Sequence, residues 1–387
     1  FLGGSDSDHC CSIAVDPARA VYLTGDTASI DFPTKNPYQS SQGGSAAAFL
    51  VKFDSSGATL LYSTYLGGNG TSLGKGLAVD SSFRAFVLGQ TYSPDFPTVS
   101  PYQSSLSGMS NLFVTRFSSA GSTLDFSTYL GGSNFEIAEG IALSPDGSAI
   151  VAGTTGSADF PTRSSYQASL RGDFDALVSR LSSSGSALLF STYLGGAGGD
   201  VAVSLARNSL GDAFVAGATN SPDFPTRNAY QATLNGEADL FLSRFSSSGS
   251  DLVFSTFLGG TGYELTLNAL GLDGAGRGFI AGKTGSDDFP TLHPYQSSRQ
   301  GSNPDAFLTV FASGGSTLDY STYLGGSGTD IGLALAIHPF GGVLVAGTTA
   351  SDDFPTASAF QPTLAGGEDA FISLFNAQAA GVSRAPP

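Results

Sequence analysis

The chain has 387 residues, of which 41% are hydrophobic and only 12% charged, so it can bury one large core or several small ones. Acids outnumber Lys and Arg 32 to 16, for a net charge of −16. That balance excludes the clustered bases on which nucleic-acid binding rests, and reads instead as solubility.

No apolar run approaches the ~18 residues of a membrane span. The chain opens at Phe1 in mid-phrase with no signal peptide in view, which predicts a processed product or a fragment. The only cysteines are the neighbours Cys10 and Cys11, so no disulfide framework is expected.

A Tyr/Phe-Leu-Gly-Gly phrase starts at Phe1, Tyr65, Tyr129, Tyr193, Phe257 and Tyr323, at intervals of 64, 64, 64, 64 and 66 residues. The Asp of an Asp-Phe-Pro-Thr phrase returns at Asp31, Asp95, Asp159, Asp223, Asp288 and Asp353. A glycine keeps the same rhythm at Gly25, Gly89, Gly153, Gly217, Gly282 and Gly347. Fixed-period self-similarity of this kind decides architecture. It gives six repeats, 1–64, 65–128, 129–192, 193–256, 257–322 and 323–387, read as one domain over 1–387.

Taken in chain order, the third copy holds four strand-like runs: "EGIALSP", "SAIVAGTT", "DALVSRLS" and "ALLFSTYLGG". Each is short, rich in β-branched or aromatic residues, and bounded by turn chemistry such as "SPDGS" or "SSSGS". No segment keeps a helical period. Four antiparallel strands repeated six times predict an all-β chain, a β-propeller of six four-stranded blades, rather than a stacked solenoid of shorter repeats.

The string Y-L-G-G, an acid, a V/I-A-rich strand, A-G-x-T, D-F-P-T, Y-Q, D-A-F-x-x-x-F and L-x-x-S-T-Y-L-G-G resembles the bacterial SBBP repeat, a β-propeller repeat of cell-surface proteins. The resemblance covers essentially the whole chain. The family's name implies seven blades where this chain has six copies. It implies an exported protein at a bacterial cell surface, and brings no catalytic residue set.

The Asp-Phe-Pro-Thr phrase reads as a structural joint. The Pro should end the second strand, because it lacks a ladder donor. The Asp should accept backbone N–H groups in the turn. Phe32, Phe96, Phe160, Phe224, Phe289 and Phe354 should plug the space between blades, and the Thr should cap the turn leading to Tyr-Gln, as at Tyr38-Gln39 and Tyr102-Gln103. A feature present six times does one job six times, which suits packing better than catalysis.

Two further sets are mostly acids. Asp8, Ser72, Glu136, Asp200, Glu264 and Asp330 precede the first strand of each repeat, and Asn111, Asp175, Asp239, Asp305 and Asp369 precede the third, with Ala47 as the exception. Propeller topology would gather these two sets and the Asp of each Asp-Phe-Pro-Thr phrase on one long-loop face, the candidate for binding, with Asp8, Glu136, Asp200, Glu264 and Asp330 as a broken ring. Two readings stay open: oxygens for a hard cation such as Ca²⁺, or carboxylates that cap backbone of the adjacent blade. No cofactor other than Ca²⁺ is expected, and the residues name no metal, since neither the EF-hand spacing nor the nine-residue calcium repeat occurs.

Residues that break the repeat are candidate sites in their own right. His9-Cys10-Cys11 occurs once; a vicinal disulfide between Cys10 and Cys11, an intermolecular bridge, and two small buried residues are the open alternatives to a soft-metal site. His293 and His338 fall in a loop and a turn. No nucleophile elbow, zinc-protease motif or phosphate loop is present. Glu136 and Glu139 make the one acid pair that suggests glycoside cleavage.

Five copies end with a strand such as "TLDFST" or "TLDYST", whereas the sixth ends with "NAQAAGVSRAPP". The last blade should therefore lack its outer strand, leaving an unpaired edge beside Asp369–Phe375 unless Ala379–Arg384 folds back onto it or sequence outside these residues completes the blade. The expected function is a noncatalytic extracellular scaffold, not an enzyme. It would serve adhesion or self-assembly with itself or another surface protein, including filament growth by strand donation. A carbohydrate-binding module using the acidic loop face, with Ca²⁺, is the alternative, and a glycoside-active enzyme the third reading.

Overall fold

The computed structural model describes residues 1–266, 269–338 and 342–376. Among these residues there is no helix, and every regular element is an antiparallel strand. The first blade holds β1 (Asp8–Val15), β2 (Val21–Thr27), β3 (Ala47–Phe53) and β4 (Leu60–Leu66); the second holds β5 (Ser72–Val79), β6 (Ala85–Thr91), β7 (Asn111–Phe117) and β8 (Leu124–Leu130). The third holds β9 (Glu136–Leu143), β10 (Ala149–Thr155), β11 (Asp175–Leu181) and β12 (Leu188–Leu194). In the fourth are β13 (Asp200–Arg207), β14 (Ala213–Thr219), β15 (Asp239–Phe245) and β16 (Leu252–Leu258).

The fifth blade splits its first strand into β17 (Glu264–Leu265) and β18 (Leu270–Leu272), both paired with β19 (Gly278–Thr284), followed by β20 (Asp305–Phe311) and β21 (Leu318–Leu324). The sixth has β22 (Asp330–Ile337), β23 (Val343–Thr349) and β24 (Asp369–Phe375), paired in that order. Each sheet is thus a meander drawn from one repeat, and the protein is of the β-propeller class.

The second and third strands read as near-continuous apolar runs because both faces of each sheet are covered. All seven residues of β6 and of β10 are buried. First strands alternate instead, as in "DVAVSLAR" of β13. Tight turns join the first and second strands. In "SPDGS", Ser144 N–H bonds Ser148 O at 2.8 Å and Gly147 N–H bonds Ser144 O at 2.9 Å, with Gly147 at φ 79°, a conformation that favours glycine.

The chain divides into two compact units, Phe1–Leu194 with Ser248–Ser250, and Gly195–Ser247 with Asp251–Pro387. The first carries blades one to three. Its cores lie between sheets: one joins Leu50 and Leu66 to Val87 and Phe113, another joins Leu112 and Leu130 to Val151 and Leu177. The second unit repeats the scheme, with Leu242 and Leu258 against Ile280 and Phe307, and Leu308 and Val310 against Val343 and Val345.

The repeated glycine has a backbone reason. A Cβ on Gly153 would stand 2.1 Å from Ile137 O, and on Gly217 1.9 Å from Val201 O. The first strand bulges at this point, so that Cys11, Lys75, Glu139, Val203 and Leu333 are each an extra, unpaired residue. A bulge and a facing glycine form one device, repeated along the chain.

One expectation is corrected here. The second strands do not end at the Pro of Asp-Phe-Pro-Thr; they end at Thr27, Thr91, Thr155, Thr219, Thr284 and Thr349. Each Thr Oγ1 accepts the N–H of the Ser two residues on, at 3.0–3.1 Å, and this local turn competes with the ladder. The incomplete sixth blade does appear: it has three strands among the described residues. The proposed fold-back of Ala379–Arg384 lies outside the described residues.

Candidate functional site

The Asp-Phe-Pro-Thr phrase is a clasp. In all six repeats the Asp Oδ1 accepts a backbone N–H from the loop after the Leu-Gly-Gly phrase, at 2.7–2.8 Å. The Ser two residues before each Asp accepts a second N–H from the same loop at 2.8–2.9 Å. The acceptor role of the Asp was legible, but not its donor, which lies 26 or 27 residues earlier rather than within the turn. These bonds hold Asp31, Asp159, Asp288 and Asp353 below the usual carboxylate range, each bond to the backbone of Ser5, Ser133, Thr261 or Ser327 being the leading cause.

The Phe of the phrase is buried in five repeats and half-buried at Phe354, and in every repeat but the third, where Leu177 stands, it lies on a third-strand ring of its own blade. Phe96 sits 4.4 Å from Phe113, and Phe289 4.7 Å from Phe307. Phe96 and Phe160 also belong to the cores shared with the preceding blade, so the plug spans the joint as expected.

The acidic sets are not a solvent-facing ring. Glu136, Asp200, Glu264 and Asp330 are buried and Asp8 half-buried. Each accepts hydrogen bonds from its own surroundings. Asp8 takes Gly4 N–H at 2.8 Å and Ser29 Oγ at 3.1 Å; Asp200 takes Gly196 N–H at 2.8 Å and Ser221 Oγ at 2.9 Å. Asp330 takes Gly326 N–H at 2.9 Å and Ser351 Oγ at 2.8 Å. Of the two readings left open by the sequence, the backbone cap describes these contacts. The exposed binding ring does not, because a carboxylate beside bare Gly-Gly N–H groups is drawn inward.

The two acidic sets meet over the second-last residue of the repeat phrase. A methyl on Gly131 would lie 2.2 Å from both Asn111 Nδ2 and Glu136 Oε2, and Asn111 donates to that oxygen at 2.9 Å. At the same position over Gly259 the groups are Asp239 Oδ1 and Glu264 Oε2, 2.2 and 2.4 Å from the methyl. Over Gly325 they are Asp305 and Asp330. Asp239 Oδ1 and Asp305 Oδ1 are buried and without a hydrogen-bond partner. Burial pushes both carboxyls up to about 7, and the facing carboxylate, Glu264 or Asp330, adds to the rise. Over Gly67 the pair is uncharged, Ala47 and Ser72.

These pairs do not fit Ca²⁺. The carboxylate of Glu264 already accepts from Thr284 Oγ1, Ser286 Oγ and Gly260 N–H, so hydrogens rather than lone pairs converge there. Among the described residues, no group of three or more His, Cys, Asp or Glu side chains is placed to hold a metal.

Cys10 and Cys11 are free and exposed. This corrects both the vicinal disulfide and the buried pair. Their sulfurs face Ser12 O at 3.8 Å and Asp26 Oδ1 at 3.9 Å, and His9 Nδ1 lies 3.2 Å from Asp26 Oδ2. Glu136 is held inside its blade by the hydrogen bonds described, and Glu139 is half-buried and pushed up to about 7 by burial against the pull of Lys75. Lys75 was not singled out in the sequence. Its signal was there: Cys11, Lys75 and Glu139 share one phase of the repeat and occupy successive first-strand bulges. His293 takes a left-handed φ of 49°, as do five residues at its position in the other repeats, and His338 closes a turn with Gly342. Both are structural placements.

The last blade presents the remaining site. A groove of about 790 Å³ runs along β24, lined by Thr349, Phe354, Pro355, Gln361, Phe371 and Phe375 among others. It occupies the place taken by a fourth strand in the other five blades. Ile372 and Leu374 are 77% and 59% exposed, whereas the equivalent Leu308 and Val310 of β20 are fully buried.

The SBBP β-propeller repeat model matches residues 61–97 and 319–355. No curated protein matches the sequence. Among solved structures, a protein of unknown function from Dyadobacter fermentans is similar with a TM-score of 0.45 and 12% identity, over 92% of this chain and 94% of that one. A mutant of the NanB sialidase from Streptococcus pneumoniae is similar with a TM-score of 0.49 and 9% identity, over 90% of this chain and 66% of that one.

Proposed function

We propose that this chain, which carries SBBP β-propeller repeats, is a noncatalytic scaffold at a bacterial cell surface that assembles through the open edge of its last blade. The observation that carries the reading is the groove along β24, where the sheet has three strands and no partner on its outer edge among the described residues, over an apolar floor. The acids before the first strands favour a scaffold over an enzyme, since Glu136, Asp200, Glu264 and Asp330 are buried and committed to hydrogen bonds inside the blades. The same commitment weighs against the sugar-binding reading, which keeps the exposed Asp of each Asp-Phe-Pro-Thr phrase as its acidic groups.

Mass photometry and negative-stain imaging of the full chain test the reading. Assemblies larger than one chain are expected at micromolar concentration, and Ile372→Lys with Leu374→Lys should disperse them by placing charge along the edge. A chain that stays single at every concentration, with the edge intact, would remove self-assembly as its function.

A further inference from the structure

The groove beside β24 is not a generic apolar slot. Its polar groups repeat those that grip the fourth strand in the complete blades, of which blade one alone has Val51 in place of the third-strand hydroxyl. In the second blade Ser127 Oγ donates to Pro97 O at 2.7 Å and pairs with Thr115 Oγ1 at 2.8 Å. Gln103 N–H donates to Thr128 Oγ1 at 2.9 Å, and Gln103 Oε1 accepts Gly131 N–H at 3.0 Å. Tyr129 OH donates to Ser93 O at 2.7 Å and accepts Phe96 N–H at 2.9 Å. Ser, Thr, Tyr and Gly of one strand are thus read by five fixed partners, Pro97, Thr115, Gln103, Ser93 and Phe96.

The sixth blade keeps all of those partners. Pro355 O, Ser373, Gln361, Ser351 O and Phe354 N–H stand at the matching positions of the repeat. Gln361 is already held as in a filled blade: its Nε2 donates to Asp369 Oδ2 at 2.9 Å and Thr363 O at 3.1 Å, against 2.6 and 3.0 Å for Gln231 with Asp239 and Thr233. The reader is in place without the strand it reads.

We infer that the edge of β24 is a sequence-selective receptor for an extended segment of the form Leu-x-Tyr/Phe-Ser-Thr-Tyr/Phe-Leu-Gly-Gly, carried by another chain and free of its own blade. This names the partner of the assembly site above and rests on that reading. The segment runs antiparallel to β24, with its second aromatic opposite Phe371, its Thr opposite Ile372 and its Ser opposite Ser373, the register of Phe307, Leu308 and Thr309 with Tyr323, Thr322 and Ser321. In complete blades the Leu-Gly-Gly end leads straight into the next sheet, which buries Leu308 and Val310. The exposed Ile372 and Leu374 are the matching surface, so the donor chain covers the face as well as the edge.

The probe is a labelled peptide with the sequence of residues 315–326, titrated into the full chain and read by fluorescence anisotropy. One-to-one binding is expected, weakened about threefold to tenfold by replacing Ser-Thr with Ala-Ala, and by a similar factor in Gln361→Ala protein. Replacing the second Tyr by Ala should abolish it, while Phe, which blade four uses at Phe257, should cost only a few-fold. Equal binding of a scrambled peptide would overturn the selectivity, and so would binding only after removal of residues 377–387, since the occupant would then be the chain's own tail. Assemblies that the peptide fails to disperse would leave the assembly reading standing while this one falls; peptide binding by a chain that never assembles would do the reverse.

Discussion

Asn111 Nδ2 donates to Glu136 Oε2 at 2.9 Å, whereas the same two positions in the next unit hold Asp239 and Glu264, with Asp239 Oδ1 left unpartnered. One atom, an amide nitrogen in place of a carboxyl oxygen, decides whether the joint between two blades is matched or strained.

The strain has a pH signature. Asp239 and Asp305 are pushed up to about 7, so between the ordinary carboxyl range and 7 the folded chain binds more protons than the unfolded one. Their contribution to stability is complete below about pH 4 and is lost as pH rises through 7. Asp239→Asn with Asp305→Asn should copy the Asn111–Glu136 pair and remove that loss, raising stability at pH 8 by on the order of 2 kcal/mol per site. Urea unfolding at pH 5 and pH 8 measures it. A wild-type chain whose stability is flat over this interval would show that the pairs share no proton.

The clasp carboxylates work with the opposite sign. Asp159 is held below the usual range by Ser133, so its contribution is present above the unfolded carboxyl pKa and is lost as pH falls through its lower folded value. Asp159→Ala should cost about 1 kcal/mol at neutral pH, modest because the bond is exposed to water, and should flatten the acid limb below pH 4. Asp159→Asn keeps the acceptor and should lose less. Thermal unfolding across pH 2–6 separates the two variants.

Gly153→Ala should be far more damaging than its size suggests. The added methyl would meet Ile137 O at 2.1 Å, a backbone atom fixed by the bulge at Glu139, so the two strands must part. A loss above about 3 kcal/mol, or failure to fold, is expected. Gly274→Ala, in an open turn with nothing within 4 Å of the added carbon, is the control and should be near neutral. Similar melting temperatures for the two variants would contradict the bulge argument.

What the sequence shows clearly is whatever recurs in one repeat: strand count, turn chemistry, the missing last strand and the acceptor role of Asp31 and its five equivalents. The meeting of Asn111 with Glu136, or Asp239 with Glu264, was hidden because the partners come from successive repeats 25 residues apart and join only when one sheet packs on the next. The glycine rhythm was visible but its reason was not, since a bulge is a backbone event that leaves no residue type of its own. The apparent acidic ring was misread for a related reason. Spacing places a carboxylate on a face; only the Gly-Gly N–H groups of Gly4, Gly196 and Gly326 show that it turns inward.

The fourth-strand tyrosine gives a test that the chain has half performed. Tyr129 OH bridges Phe96 N–H and Ser93 O, and Tyr65, Tyr193 and Tyr323 likewise donate to Ser29, Ser157 and Ser286. Blade four has Phe257 at that position, and there Phe224 N–H draws to 3.1 Å from Ser221 O, against 3.4 Å for Phe96 and Ser93. In blades one to four and six this N–H also faces the Ser carbonyl, at 3.1–3.4 Å, so it keeps an acceptor when no hydroxyl is present. Tyr129→Phe should cost about 1–2 kcal/mol, less than the loss of two buried bonds, because Phe96 N–H and Ser93 O already face each other at 3.4 Å and keep that bond. Phe257→Tyr should regain a similar amount, since Phe224 N–H and Ser221 O keep the positions that receive the hydroxyl in the other blades. Chemical denaturation of both variants decides it, and a Phe257→Tyr chain less stable than wild type would mean that the slot in blade four has no room for the oxygen.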